Sequence, residues 1–231
     1  NDLYVSSDFW HFTREKLSQS YNIKVPMVTF SLFAGDGGAV KSVGTGDEKK
    51  YTRPEAGYLL ADGIVEGLTL SKANIYDNPI LKHERLEMQL PLFLAPKEEY
   101  DKACKKIEEG INAGRSKCDD YYAYGMYARY HRQQVDPFYI AFCHAISLGD
   151  TAIGTAPFEV DLPFGLEMKG RANYGQVFPV QIVEQSDGYL RTQRIINYPS
   201  IKIHQSSVLV SPEGGKIMIN KIVNKLNEWK K

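Results

Sequence analysis

The sequence predicts an α/β fold, a layered mixed β-sheet flanked by helices. Three observations predict it. Segments of helical and strand patterning alternate along the 231 residues. The composition, 43% hydrophobic and 24% charged, is that of an ordinary globular domain long enough to bury a core without staples. No internal repeat or low-complexity linker interrupts the alternation, so residues 1–231 read as a single domain.

The elements follow in order. "DFWHFTREKLSQS" (8–20) is predicted as a helix opened by Asp8 as N-cap. "VPMVTFSLF" (25–33) is mostly apolar and predicts a buried strand. It runs into a loop with five glycines between Gly35 and Gly46. "RPEAGYLLADGIVEGL" (53–68) has Pro54 in its first turn and apolar residues at Leu59, Leu60, Ile64, Val65 and Leu68, the spacing of an amphipathic helix. "RLEMQLPLFL" (85–94) alternates and then turns apolar, which predicts a strand. Helices are predicted over 96–114, with Pro96 at its start, and over the tyrosine-rich 119–134. "FYIAFCHAISLGDTAIGTAP" (138–157) reads as two strands broken at Gly149-Asp150. "VFPVQIV" (177–183) is a further strand and "SDGY" (186–189) a turn. Ile217, Ile219, Ile222, Val223 and Leu226 make 212–229 a closing amphipathic helix.

Lys plus Arg equals Asp plus Glu at 28 each, so there is no global basic field and no nucleic-acid partner is expected. No apolar run approaches the roughly 20 residues of a membrane span. The chain starts at Asn1 without a signal-peptide pattern, and the native N-terminus is expected to lie upstream or to have been removed. Cys104, Cys118 and Cys143 have no metal-binding spacing and read as buried free thiols.

The glycine-rich loop invites a phosphate-binding reading, which its residues exclude. A P-loop requires glycine directly before Lys-Ser, and here Val40 precedes Lys41-Ser42. Val40 also breaks the third position of a G-x-G-x-x-G run begun by Gly35 and Gly37. The five histidines form no H-x-H or H-E-x-x-H pair. There is no G-x-S-x-G elbow, and Ser6-Ser7-Asp8 reads as a helix cap. The tyrosines and Met126 of 119–134 read as half-buried packing residues, while Arg129 and Arg132 could face an anionic or polar substrate. From the residues alone, Glu159 reads as a first-turn helix carboxylate and Tyr189 as a turn residue.

Three segments taken together resemble the neutral (alkaline, non-lysosomal) ceramidases: "VSSDFWHFTREKL" leading into "VPMVTFSLFAGDGG", then "LGDTAIGTAPFEV", then "DGYLRT" with "SSVLVSPEGG" and the closing helix. Their order and intervals fit nearly the whole chain, as the C-terminal part of that family's catalytic domain. The resemblance implies a zinc-dependent amidohydrolase of sphingolipid metabolism that cleaves an N-acyl, lipid-like amide by metal-activated water. It implies zinc held by Glu159 and Tyr189 together with histidines of an upstream N-terminal half, and a chain that does not hold zinc tightly alone. It further implies a secreted or periplasmic location and leaves room for peripheral contact with a membrane.

Two departures weigh against turnover. The family's loop reads G-D-x-S-P, with a serine implicated in catalysis. Here Asp36, Gly37 and Gly38 form that loop, with Gly38 at the serine's place. A family tyrosine is matched by Ile203, with His204 beside it as a weak catalytic candidate. The alternative expectation is a catalytically inactive ceramidase-like protein that binds lipid or glycan.

Overall fold

A computed structural model describes residues 6–24, 27–37, 51–71, 77–117, 119–198 and 205–230. Its elements are α1 (Phe9–Tyr21), α2 (Arg53–Ser71), β1 (Leu81–Pro91), α3 (Lys97–Asn112), α4 (Tyr121–Val135), β2 (Phe138–Leu148), β3 (Thr151–Ala156), β4 (Glu159–Val160), α5 (Leu162–Arg171), β5 (Gln176–Gln181), β6 (Tyr189–Leu190), α6 (Gln193–Ile196) and α7 (Pro212–Glu228). They fall into two compact units, one of residues 1–29 and 38–78, the other of 30–37 and 79–231.

The smaller unit is a helix pair. Thr13 and Leu17 of α1 are buried with Gly57 and Ala61 of α2. A Cβ on Gly57 would lie 2.5 Å from the Phe9 carbonyl oxygen and 2.7 Å from Phe12 Cβ, so glycine is what lets the backbones approach. Thr52 and Glu55 cap α2 reciprocally: the Thr52 amide donates to Glu55 and the Glu55 amide to Thr52 Oγ1. The predicted Asp8 cap is corrected. Asp8 sits before α1 with φ 52° and makes no side-chain cap, because its carboxylate pairs with Arg53 Nε at 3.1 Å.

The larger unit carries the predicted α/β layering. Its sheet runs β1-β2-β3-β5. β1 and β2 are antiparallel in the register Leu81↔Leu148 to Pro91↔Phe138, and β2 turns into β3 at Gly149 (φ 57°). β3 pairs parallel with β5, and α5 makes the crossover. α7 begins at Ser211, whose hydroxyl accepts from the Gly214 amide, with Pro212 in the first turn. It buries Met218, Ile219, Ile222 and Leu226 completely. Gly154 of β3 makes room for it: a Cβ there would lie 2.6 Å from Met168 Sδ and 2.8 Å from Ile222 Cγ2.

The predicted strand over 25–33 contracts to one bridge, Leu32↔Val180. Ser31 and Phe33 bond Gln181 and Pro179. The pairing stops because β5 turns away at Ile182 (φ 58°) and Gly35 leaves to bond Val160. Tyr121, Tyr122 and Tyr127 of α4 are exposed, against the packing expectation, while Tyr124 and Tyr130 are half-buried as expected and Ala123 and Met126 are buried. Cys143 is buried, its thiol pushed up to about 12 by burial. Among the described residues, no helix is long and apolar enough to cross a membrane.

Candidate functional site

The site is built on a two-stranded ribbon. β4 and β6 are two residues each and pair parallel, Glu159 opposite Tyr189 and Val160 opposite Leu190. The two-residue period of a strand sends Val160 and Leu190 into the core, both fully buried, and leaves Glu159 and Tyr189 half-buried on the other face. Two residues 30 positions apart thus become neighbours. The Tyr189 hydroxyl hydrogen-bonds Glu159, which with partial burial raises the phenol above its usual range. Glu159 is a strand residue; the nearby helix begins at Leu162.

Gly188 makes the ribbon possible. Its φ is 76°, and a Cβ would run into the Ser207 carbonyl oxygen. Its own carbonyl accepts from the Glu159 amide at 2.8 Å. Tyr189 also bridges Val208, so three distant segments meet here.

Arg191 ties the parts together. Its Nη1 donates to Asp161 Oδ1 at 2.7 Å and to the Gly35 carbonyl at 2.8 Å, and its guanidinium lies 4.0 Å over the Tyr189 ring. Asp161 is fully buried and also accepts from the Thr192 amide at 2.8 Å. Burial raises its carboxyl above the ordinary carboxylate range, while Thr192 and Arg191 pull the other way.

The loop bearing Asp36 and Gly37 lies against this ribbon. The Gly35 amide donates to the Val160 carbonyl at 2.7 Å, and a Cβ on Gly35 would lie 2.9 Å from the Glu159 carbonyl oxygen. Asp36 Oδ1 accepts from the Leu162 amide at 2.6 Å, capping α5 from another part of the chain. Gly37 closes a turn back to Ala34. Asp36 also lines an open cleft of about 350 Å³ with Pro163, Thr192, Arg194, Ile195 and Tyr198.

Asp36, Gly37, Glu159 and Tyr189 are therefore brought together. Gly38 and His204 lie outside the described residues. Arg129 and Arg132 serve other contacts. Arg129 Nη2 donates to the Phe93 carbonyl at 2.5 Å, and burial lowers its guanidinium to about 10. Arg132 lies 5.4 Å over the Tyr139 ring, and the Tyr139 hydroxyl donates to Asp187. Sequence reasoning missed Asp161, Arg191, Thr192 and Arg194. The available signal was Asp161 directly before Leu-Pro and Arg191-Thr192 beginning two residues after the ribbon tyrosine.

A carboxylate beside a phenol offers two hard oxygen donors. Among the described residues, no group of three or more His, Cys, Asp or Glu is arranged to hold a metal ion. No protein-family model matches the chain, and no curated protein matches it. The crystal structure of neutral ceramidase from Pseudomonas aeruginosa is similar in fold, with a TM-score of 0.60 over 99% of this chain at 12% identity. The chain spans 41% of that protein's length.

Proposed function

We propose that this chain is a ceramidase-like protein that binds an amphiphilic N-acyl ligand, lipid or glycan in character, without turning it over. The cleft beside Asp36 carries the reading. Pro163, Ile195 and Tyr198 supply apolar surface for an acyl segment, and Asp36, Thr192 and Arg194 supply polar groups for an amide or sugar head. The loop sequence supports the absence of turnover. Gly38 has no hydroxyl to attack or to position a substrate, and the Asp36 carboxylate already caps α5.

The pairing of Glu159 with Tyr189 favours a second reading, part of a zinc-dependent amidohydrolase. In that case Glu159 and Tyr189 would hold zinc together with histidines of an upstream half. Bound there, zinc would supply Lewis acidity toward the amide and an activated water. In this chain the pair keeps the phenol protonated, so a cation would have to offset the Glu159 hydrogen bond.

Calorimetric titration with an N-lauroyl amide, run alongside an assay for released laurate, separates the readings. Saturable binding that weakens at least tenfold in Arg194→Ala and Tyr198→Ala, without laurate, is the expected result. Laurate released by the chain, and lost in Glu159→Ala, would replace binding by hydrolysis. No saturable binding would overturn the first reading.

A further inference from the structure

Away from the Glu159–Tyr189 ribbon, the outward face of the sheet carries a second set of titratable side chains. His83 and Arg85 lie on β1, and His144 on β2 sits opposite Arg85 in register. His83 Nε2 and His144 Nδ1 are 2.8 Å apart. The ring centroids are 5.1 Å apart and the planes differ by 22°. With the nitrogens this close and the centroids this far apart, the rings meet edge to edge in nearly one plane. They are not stacked face to face.

A carboxylate stands behind the pair. Glu184 Oε1 is 3.4 Å from His144 Nε2, and Arg85 Nε holds the same oxygen at 2.8 Å. Arg85 in turn lies 3.8 Å over the Phe142 ring. Glu184 reaches this position through a backbone reversal after β5, where Ile182 (φ 58°) and Glu184 (φ 66°) both adopt left-handed geometry. That geometry is costly for a β-branched residue and clusters at ligand-binding positions. The network sets the tautomers. His144 Nε2–H faces Glu184, which leaves the Nδ1 lone pair to accept from His83 Nε2–H.

We infer that His83 and His144 form a site for one divalent transition-metal ion, of the class imidazole takes, such as zinc. His83 Nε2 and His144 Nδ1 are its ligands, and Glu184 is the hydrogen-bond partner behind His144. A metal-bound imidazole commonly donates its second ring N–H to a carboxylate, and Glu184 Oε1 stands 3.4 Å from His144 Nε2 to take that role. An ion binds in the plane of each imidazole, and the two rings face one another in nearly one plane. The hydrogen now between the nitrogens moves to His83 Nδ1 on the solvent side, so no net proton is released. To admit bonds of about 2.0–2.1 Å at a tetrahedral angle, the nitrogens must open by about half an ångström and the ring axes, now in line, must each tilt by about 35°. His83 is exposed and free to swing outward. The remaining positions are open to water or to a ligand from another molecule.

Equilibrium dialysis of the full chain against Zn²⁺, with Ca²⁺ as a hard-cation control, tests the site. One Zn²⁺ and no Ca²⁺ should bind wild type and Glu159→Ala alike, since the ribbon is not involved. His83→Ala should weaken zinc at least tenfold, and Glu184→Gln by about tenfold. Histidine ¹⁵N spectra should show zinc shifting His83 and His144 together. His83 is exposed, so its variant folds whether or not His144→Ala does. The inference is overturned if His83→Ala binds zinc as wild type does, if Glu159→Ala abolishes binding, or if wild type takes up no zinc.

Discussion

Replacing Arg191 with methionine tests whether the ribbon depends on a buried charge. Asp161 is 0% exposed and its partner's side chain 16%, so solvent screens the pair little. Removing one member of a buried ion pair costs about 3–5 kcal/mol, because the other is left charged and unpaired. Arg191→Met also deletes the bond to the Gly35 carbonyl, a net term of about 1 kcal/mol. The Thr192 amide still serves Asp161, which places the total near the low end, about 3–4 kcal/mol. With a urea slope of about 2 kcal/mol per molar, the midpoint should fall by about 1.5–2 M. Trp229 packs against the core of the larger unit and reports this unfolding by fluorescence once Trp10 is replaced by Phe. The pH dependence gives an independent check. A carboxyl whose folded pKa is raised binds its proton more tightly when folded, so stability falls as pH rises through that value and is regained on acidification. Loss of Arg191 raises the Asp161 carboxyl further, so the gap between variant and wild type should shrink below neutral pH. A midpoint shift under about 0.5 M at neutral pH, or a gap that widens on acidification, would refute the reasoning.

Three further outcomes are expected. Gly154→Ala places a Cβ 2.6 Å from Met168 Sδ and should lower stability by about 1–3 kcal/mol, measured as a fall in Tm. Gly188→Ala combines φ 76° with a collision against the Ser207 carbonyl, and should cost more than about 1 kcal/mol while separating Glu159 from Tyr189. In ¹³C-tyrosine spectra Tyr189 should titrate above the ordinary phenol range in wild type and return toward it in Glu159→Ala, because the carboxylate is the main cause of the shift.

The closing helix and the β2–β3 hairpin were legible because each shows its own period, whereas in α2 the predicted apolar positions Leu59, Leu60 and Leu68 are exposed and the small residues Gly57 and Ala61 make the contact. Ile219, Ile222, Val223 and Leu226 trace the buried stripe of α7, and "LGDTAIG" gives the β2–β3 hairpin with its turn at Gly149. The ribbon was not legible. Two-residue strands have too few positions to show alternation, and their pairing is fixed by contacts 30 residues away. Asp8 showed how a local cap pattern yields to a tertiary ion pair with Arg53. Phe30 lies in an apolar run that predicts a strand, yet it is exposed, because the run meets β5 at the single bridge of Leu32. Pairing Glu159 with Tyr189 required the family resemblance. Arg191, which holds the ribbon to the loop, carried no recognisable motif.

The meeting of Glu159, Tyr189 and Val208 on one ribbon sets an order for biosynthesis. Val208 lies four residues before α7, whose Met218, Ile219 and Ile222 form the floor of the core. The β2–β3 hairpin can pair while the chain is still emerging, since its partners are close in sequence. The ribbon cannot, because its third segment, at Val208, leaves the ribosome only after the whole hairpin has done so. A nascent chain would thus carry that hairpin before it carried a site, and a chain cut before Val208 would keep Glu159 and Tyr189 while losing the third segment that meets them.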